Sequence, residues 1–109
     1  MKKDYYHQIF ELVCQIPEGR VTNYGAIADA LALGSARTVG YALSQSHQIA
    51  PLIPAHRVVN RKGELSGRHH FTPPERMAQL LEAEGVQIKN HTVQDFDARF
   101  WSPLEGKTD

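Results

Sequence analysis

The chain has 109 residues, 41% hydrophobic and 22% charged, which is enough for one domain with one modest core and too little for two. Its twelve basic and twelve acidic side chains cancel, so the strong uniform field of a generic polyanion binder is absent, and no apolar run approaches the about 18 residues of a membrane span. One cysteine, Cys14, excludes an internal disulfide framework. The charge is nevertheless unevenly placed: residues 33–72 carry a net +4, against −1 before them and −3 after.

In chain order, Met1-Lys2-Lys3-Asp4 leads into an amphipathic segment and not into a secretory signal, which sets the expectation of a cytoplasmic protein without membrane contact. Asp4 is the expected cap of a first helix with the apolar stripe Ile9, Leu12, Val13 and Ile16. Cys14 falls in that apolar pattern and is expected to be buried. Pro17-Glu18-Gly19 ends the helix. Asn23 or Thr22 caps a second, shorter helix carrying Ile27, Ala28 and Leu31. Ala32-Leu33-Gly34 turns the chain, and Ser35 caps a third helix to about residue 46. Two short helices joined by a glycine-containing turn are a helix-turn-helix signature.

After a loop come two β-prone runs, Arg57-Val58-Val59 and Glu64-Leu65, with Asn60-Arg61-Lys62-Gly63 as the turn between them. Thr72-Pro73-Pro74-Glu75 reads as a capping box opening a helix that carries Met77, Leu80, Leu81 and Glu84 and stops at Gly85. Phe96, Phe100 and Trp101 are expected to dock the C-terminal segment on the body. The fold class that follows is mainly α with a short β-hairpin, a winged helix-turn-helix. It forms a single domain over residues 1–101, with fraying over 102–109.

The stretch Ile53-Pro54-Ala55-His56-Arg57-Val58-Val59-Asn60 has the look of a nucleophile's surroundings with the nucleophile gone. Pro54 fixes its own φ and biases Ile53 toward extended geometry, so the next residue is presented in a defined direction. A histidine directly after that position suits activation of a thiol or hydroxyl. Alanine can be neither base, ligand nor nucleophile. Alone, the stretch would read as an apolar strand with a stray histidine.

Its company changes that reading. Arg20-Val21-Thr22-Asn23-Tyr24-Gly25-Ala26-Ile27-Ala28, Ser35-Ala36-Arg37-Thr38-Val39-Gly40, Pro54-Ala55-His56-Arg57-Val58-Val59 and Leu80-Leu81-Glu82-Ala83-Glu84-Gly85 occur in order and at suitable spacing. Over roughly residues 5–86 the chain resembles the DNA-binding domain of O6-alkylguanine-DNA alkyltransferases, in the alkyltransferase-like branch. Those enzymes carry Pro-Cys-His-Arg-Val, where this chain has Ala55 in place of the alkyl-accepting cysteine. They also carry Gly-Tyr where this chain has Gly67-Arg68, and Asn-Pro near Ser46-His47.

The resemblance implies recognition of O6-alkylguanine in double-stranded DNA, from the minor groove, without alkyl transfer. It further implies a monomer, nucleoid-associated in a prokaryote, that needs no cofactor and hands its lesion to nucleotide excision repair proteins. Ala36, Arg37, Thr38 and Gly40 would face the DNA, with Arg37 inserted through the stack in place of an extruded nucleotide; without the resemblance Arg37 reads equally as an exposed helix-former. Tyr24 would help rotate that nucleotide out, at its phosphate or its base. Tyr24, Ala55, His56, Arg57, Val58 and Arg68 would bound the lesion pocket. His56 and Glu84, which in the enzymes serve the cysteine, become a vestigial structural pair, and Arg57 an internal hydrogen-bond donor. Arg68 could lie over the base or meet ring acceptors or a phosphate. His69-His70 with His56 invites a metal reading, but lacks a further spaced ligand, so no metal is expected. Two other classes remain: a residual DNA-modifying enzyme using Cys14, or His56 with Glu84, and a sequence-specific winged-helix transcription regulator.

Overall fold

The computed structural model describes residues 4–104. It is built from α1 (Asp4–Val13), β1 (Thr22–Asn23), α2 (Tyr24–Leu31), α3 (Ala36–Ile49), β2 (Val58–Val59), α4 (Arg76–Ala83), β3 (Ile88–Lys89), β4 (Thr92–Val93) and α5 (Phe96–Arg99), with single 3-10 turns at Ala55–Arg57 and Arg68–His70. None of these helices is long and apolar enough to cross a membrane. The cap role expected of Asp4 lies outside the described side chains, as does the tail over 105–109.

Local chemistry sets the helix starts. Asn23 Oδ1 accepts from the Ala26 N–H at 2.7 Å to open α2, and Ser35 Oγ accepts from the Arg37 N–H at 3.1 Å to open α3. Between them α2 closes on Ala32 in the left-handed region (φ 56°), with the Leu33 N–H returning to the Ala28 carbonyl at 2.9 Å. The result is a helix-turn-helix. α3 runs to Ile49, about one turn past the expected end.

The core has two parts. Ile9, Leu12, Val13 and Ile16 of the first helical stripe are buried with Ile27, Val39, Ala42, Leu43, Val58 and Trp101. Val21, Val59, Leu65, Met77, Leu81, Val86 and Val93 form the second cluster. Each fully buried aliphatic contributes roughly 1.5–3 kcal/mol against leaving it in water. Val58 and Val59 are successive strand residues and so point to opposite sides, one into each cluster. Cys14 corrects an expectation: it is exposed, because the stripe leaves it on the solvent side of the segment.

The β-structure is arranged differently from the expected hairpin. β2 pairs in parallel with β1, Thr22 opposite Val58 and Asn23 opposite Val59. The turn after it closes through the Asn60 side chain, whose Oδ1 accepts from the N–H of Lys62 at 3.0 Å and of Glu64 at 2.8 Å. That leaves Glu64-Leu65 to pair with the C-terminal part, through the Leu65 N–H to His91 carbonyl bond (2.8 Å) and a Glu64–Thr92 bridge. The hairpin of the fold is β3–β4, turned by Asn90 and His91 with φ of 53° and 59°.

The expected capping box at Thr72–Glu75 is not formed either. α4 begins at Arg76, and Glu75 makes no side-chain capping bond. Pro74 disfavours helical geometry at Pro73, so the first turn cannot start there. The C-terminal segment docks by main chain as well as side chain: the Val21 N–H donates to the Arg99 carbonyl at 2.9 Å, and the Trp101 N–H donates to the Val21 carbonyl at 2.7 Å. Pro103 beyond it is buried.

Candidate nucleic-acid interface

The outward face of α3 carries Ala36, Arg37, Gly40, Tyr41 and Ser44, spaced so that all lie on one side of the helix. With Tyr24 at the start of α2 and Ser66, Gly67 and His70 on the facing lip, they line an open groove of about 670 Å³. The guanidinium of Arg37 is exposed and has no partner among the described residues. Tyr41 is 59% exposed. Thr38 is half-buried and does not border the groove, and Ala42 faces the core. On the other side of Tyr24 a second hollow is bounded by Ala36, Asn60, Arg61, Lys62 and Glu64, which brings two exposed cations and one exposed carboxylate to the same face.

A deeper cleft of about 530 Å³ lies behind the groove, between the 51–57 loop and the segment from His70 to Arg76. Ala55 stands on its wall, with His56 and Arg57 beside it and Phe71 opposite. A void of about 20 Å³, bordered by Tyr24, Gly40, Ala55, Gly67, His70 and Phe71, lies between groove and cleft. Tyr24, on the groove, and Ala55, on the cleft, therefore border one small void between the two. Close approach shapes it: a Cβ on Gly67 would stand 2.9 Å from the Tyr24 hydroxyl. Burial raises the pKa of that phenol, against a hydrogen bond with Ser66 that lowers it.

Below the cleft, the Glu84 carboxylate is bonded by Arg57, His56 and Gly19. Arg57 donates from Nε at 3.0 Å to Oε1 and from Nη2 at 2.7 Å to Oε2, while Nη1 donates to the Ile16 carbonyl at 2.8 Å. His56 Nε2 is 2.8 Å from Oε2, and the Gly19 N–H donates to Oε1 at 3.3 Å. Gly19 has φ +85°, and any Cβ there would press on the Glu84 carbonyl at 3.3 Å, so glycine is required for this bond. Burial alone would raise the Glu84 pKa, but the bonds from Arg57, His56 and Gly19 outweigh it and hold it at about 2. Burial lowers the His56 pKa, more than its bond to Glu84 restores. A neutral ring beside a carboxylate carries its proton on Nε2.

The structure thus brings Tyr24, Ala36, Arg37 and Gly40 to the groove, and Ala55, His56 and Arg57 to the cleft. Val58 is in the core at 1% exposure, and Arg68 donates from Nη1 to the Leu65 carbonyl at 3.1 Å without bordering groove or cleft. Sequence reasoning missed Tyr41, His47, Ser66, His70, Phe71 and Arg76. Tyr41 was detectable as one turn beyond Arg37; the others come from irregular segments with no periodicity to read. His47 stacks at 6.5 Å on His70 and meets Phe71 edge-on at 4.5 Å. Among the described residues no three His, Cys, Asp or Glu side chains gather as metal ligands.

A family model described as "6-O-methylguanine DNA methyltransferase, DNA binding domain" matches residues 4–86. The chain is 33% identical over 105 residues to alkyltransferase-like protein 1 of Schizosaccharomyces pombe, covering 92% of this chain and 96% of that protein. It is 38% identical over 105 residues to the DNA base-flipping protein of Escherichia coli, covering 93% of this chain and 78% of that one. The solved structure of S. pombe Atl1 in complex with damaged DNA containing O6-carboxymethylguanine superposes with a TM-score of 0.81 at 32% identity, covering 91% of this chain and 95% of that one.

Proposed function

This chain belongs to the family of the 6-O-methylguanine DNA methyltransferase DNA-binding domain, in its alkyltransferase-like branch, and from that membership we propose that it binds O6-alkylguanine in duplex DNA without removing the alkyl group. The observation that carries the reading is Ala55 on the wall of the cleft, directly above an intact His56–Arg57–Glu84 network. The surroundings of an acceptor are kept and the acceptor is missing. The one cysteine, Cys14, is on another segment.

In this reading α3 enters the minor groove, Arg37 takes the place of the lesion in the stack, and the extruded nucleotide passes Tyr24 into the cleft beside Ala55. The S. pombe complex with damaged DNA and the name of the E. coli relative support that reading. A small monomer holding an extruded lesion presents it to other proteins, and nucleotide excision repair is the pathway we assign to it. Residual base-removing chemistry is disfavoured by the same geometry. Glu84, held at about 2 and committed to the Arg57 guanidinium and the His56 ring, is a poor base, and the His56 proton is tied to it.

The test uses labelled duplexes containing guanine or O6-methylguanine, followed for binding by anisotropy and for methyl loss by mass of both strands and protein. Selective binding with unchanged masses is expected. A protein heavier by one methyl group sinks the proposal, and equal affinity for the two duplexes sinks lesion recognition.

A further inference from the structure

The cleft beside Ala55 has a one-sided charge. Arg57, Arg76, His47, His56 and His70 all border it, and no carboxylate does. These basic side chains are not equivalent. Arg57 is neutralised by Glu84, and its remaining donor is spent on the Ile16 carbonyl. His56 is neutral. Arg76 has no side-chain partner among the described residues, yet its charge reaches far enough into the cleft to lower the His56 pKa.

Its position follows from the helix. Arg76, Leu80 and Glu84 recur at four-residue intervals along one face, and Arg76 and Leu80 both border the cleft. Glu84 closes the far end of this face and Arg76 stands at the near end, about 12 Å away by helical rise. The Glu84 carboxylate is held by Arg57, His56 and the Gly19 N–H, and no ion pair joins it to Arg76 among the described residues.

Resting on the proposed lesion binding, we propose that this cleft prefers O6 substituents that carry a negative charge, such as carboxymethyl, and that Arg76 is the side chain that reads the charge. An alkyl carboxylate extended past Ala55 enters a wall that offers a free guanidinium and no competing anion. A guanidinium and a carboxylate form a charge-assisted, two-pronged bond. Because Arg76 is exposed, solvent tempers the gain, and about fivefold in affinity is the expected scale. His47 and His70 add positive charge on the facing side only when protonated.

The experiment is an anisotropy competition with four duplexes identical except for one base: guanine, O6-methylguanine, O6-carboxymethylguanine and its neutral isostere O6-carbamoylmethylguanine. The wild type should favour carboxymethyl over carbamoylmethyl by about fivefold. Arg76→Gln should bring that ratio near one while still preferring all three adducts to guanine, and Arg76→Lys should recover most of it. A wild-type ratio of one, or a ratio unchanged in Arg76→Gln, overturns the inference and leaves lesion binding standing. Failure of every adduct to bind better than guanine overturns both.

Discussion

Arg57, expected as an internal hydrogen-bond donor at the pocket, and Arg37, expected to enter the DNA stack, are treated by the fold in opposite ways. Arg57 donates to Glu84 and to the Ile16 carbonyl and is 16% exposed. Arg37, on the outward face of α3, is exposed and without a partner among the described residues. One guanidinium is consumed in joining the 3-10 turn at Ala55, the end of α1 and the end of α4. The other is left in water. The contrast teaches that the cleft is held by groups already satisfied, and that what is free to meet a ligand lies mainly on the groove side. Stability and binding should therefore separate cleanly on mutation.

Glu84→Ala gives the largest effect. It strands two side chains that are buried around it, and loss of one partner from such a network costs about 3–5 kcal/mol. Urea unfolding measures it, and a loss below about 1 kcal/mol would deny the network its structural role.

Acid should loosen the same region next. Glu84 is about 2 in the folded chain against an ordinary 4.5, so its stabilisation is fully present above pH 4.5 and is lost as pH falls toward 2. The difference corresponds to about 3 kcal/mol. His56 acts in the same sense: its folded pKa lies below 6.5, so protonation disfavours the fold and stability starts to fall below that pH. Unfolding free energy against pH should decline in two stages, and Glu84→Gln should flatten the lower one. A curve identical in wild type and Glu84→Gln below pH 4.5 contradicts the assignment.

On the groove side the signs reverse. Arg37→Ala should change stability by no more than about 0.5 kcal/mol while weakening binding to an O6-methylguanine duplex about tenfold. A fluorescent base analogue opposite the lesion should lose its enhancement, and an undiminished signal would reduce Arg37 to a surface residue.

Gly67→Ala is the mildest and the sharpest. The new Cβ displaces the Tyr24 hydroxyl, at about 0.5–1.5 kcal/mol for a side chain pushed off its rotamer. Binding should fall by a similar free energy, and less so in Gly67→Ala combined with Tyr24→Phe, which removes the clashing oxygen. Equal losses in the single and double variants would show that binding does not depend on this contact.

What could be read from the sequence was what is local. Asn23 and Ser35 cap their helices as the residue types demand, and Ile9, Leu12, Val13 and Ile16 bury along one stripe. Pro54-Ala55-His56-Arg57 marked the cleft because its chemistry is contiguous. The rest depends on separation in the chain. The partners of Val58 and Val59 are 36 residues upstream, and nothing in a pair of valines chooses Thr22-Asn23 over Glu64-Leu65. The Asn60 side chain decides that, by closing its turn early. Arg68 was singled out for its chemistry and borders neither hollow, while Arg76, overlooked on a helix start, borders the cleft together with Arg57. Cys14 shows the remaining weakness: one residue off a stripe is enough to face water.

The ladder between β1 and β2 has only two rungs, yet it acts as a gauge. Asn23 is paired and Tyr24 follows it directly; Val58 is paired and the Ala55–Arg57 turn ends directly before it. No glycine intervenes on either side to serve as a hinge. The backbone separation of Tyr24 from Ala55 is thus set by the ladder before any duplex arrives. A template of fixed length leaves the work of deformation to the DNA, so lesions flanked by soft pyrimidine–purine steps should be engaged more readily than the same lesions in stiff tracts.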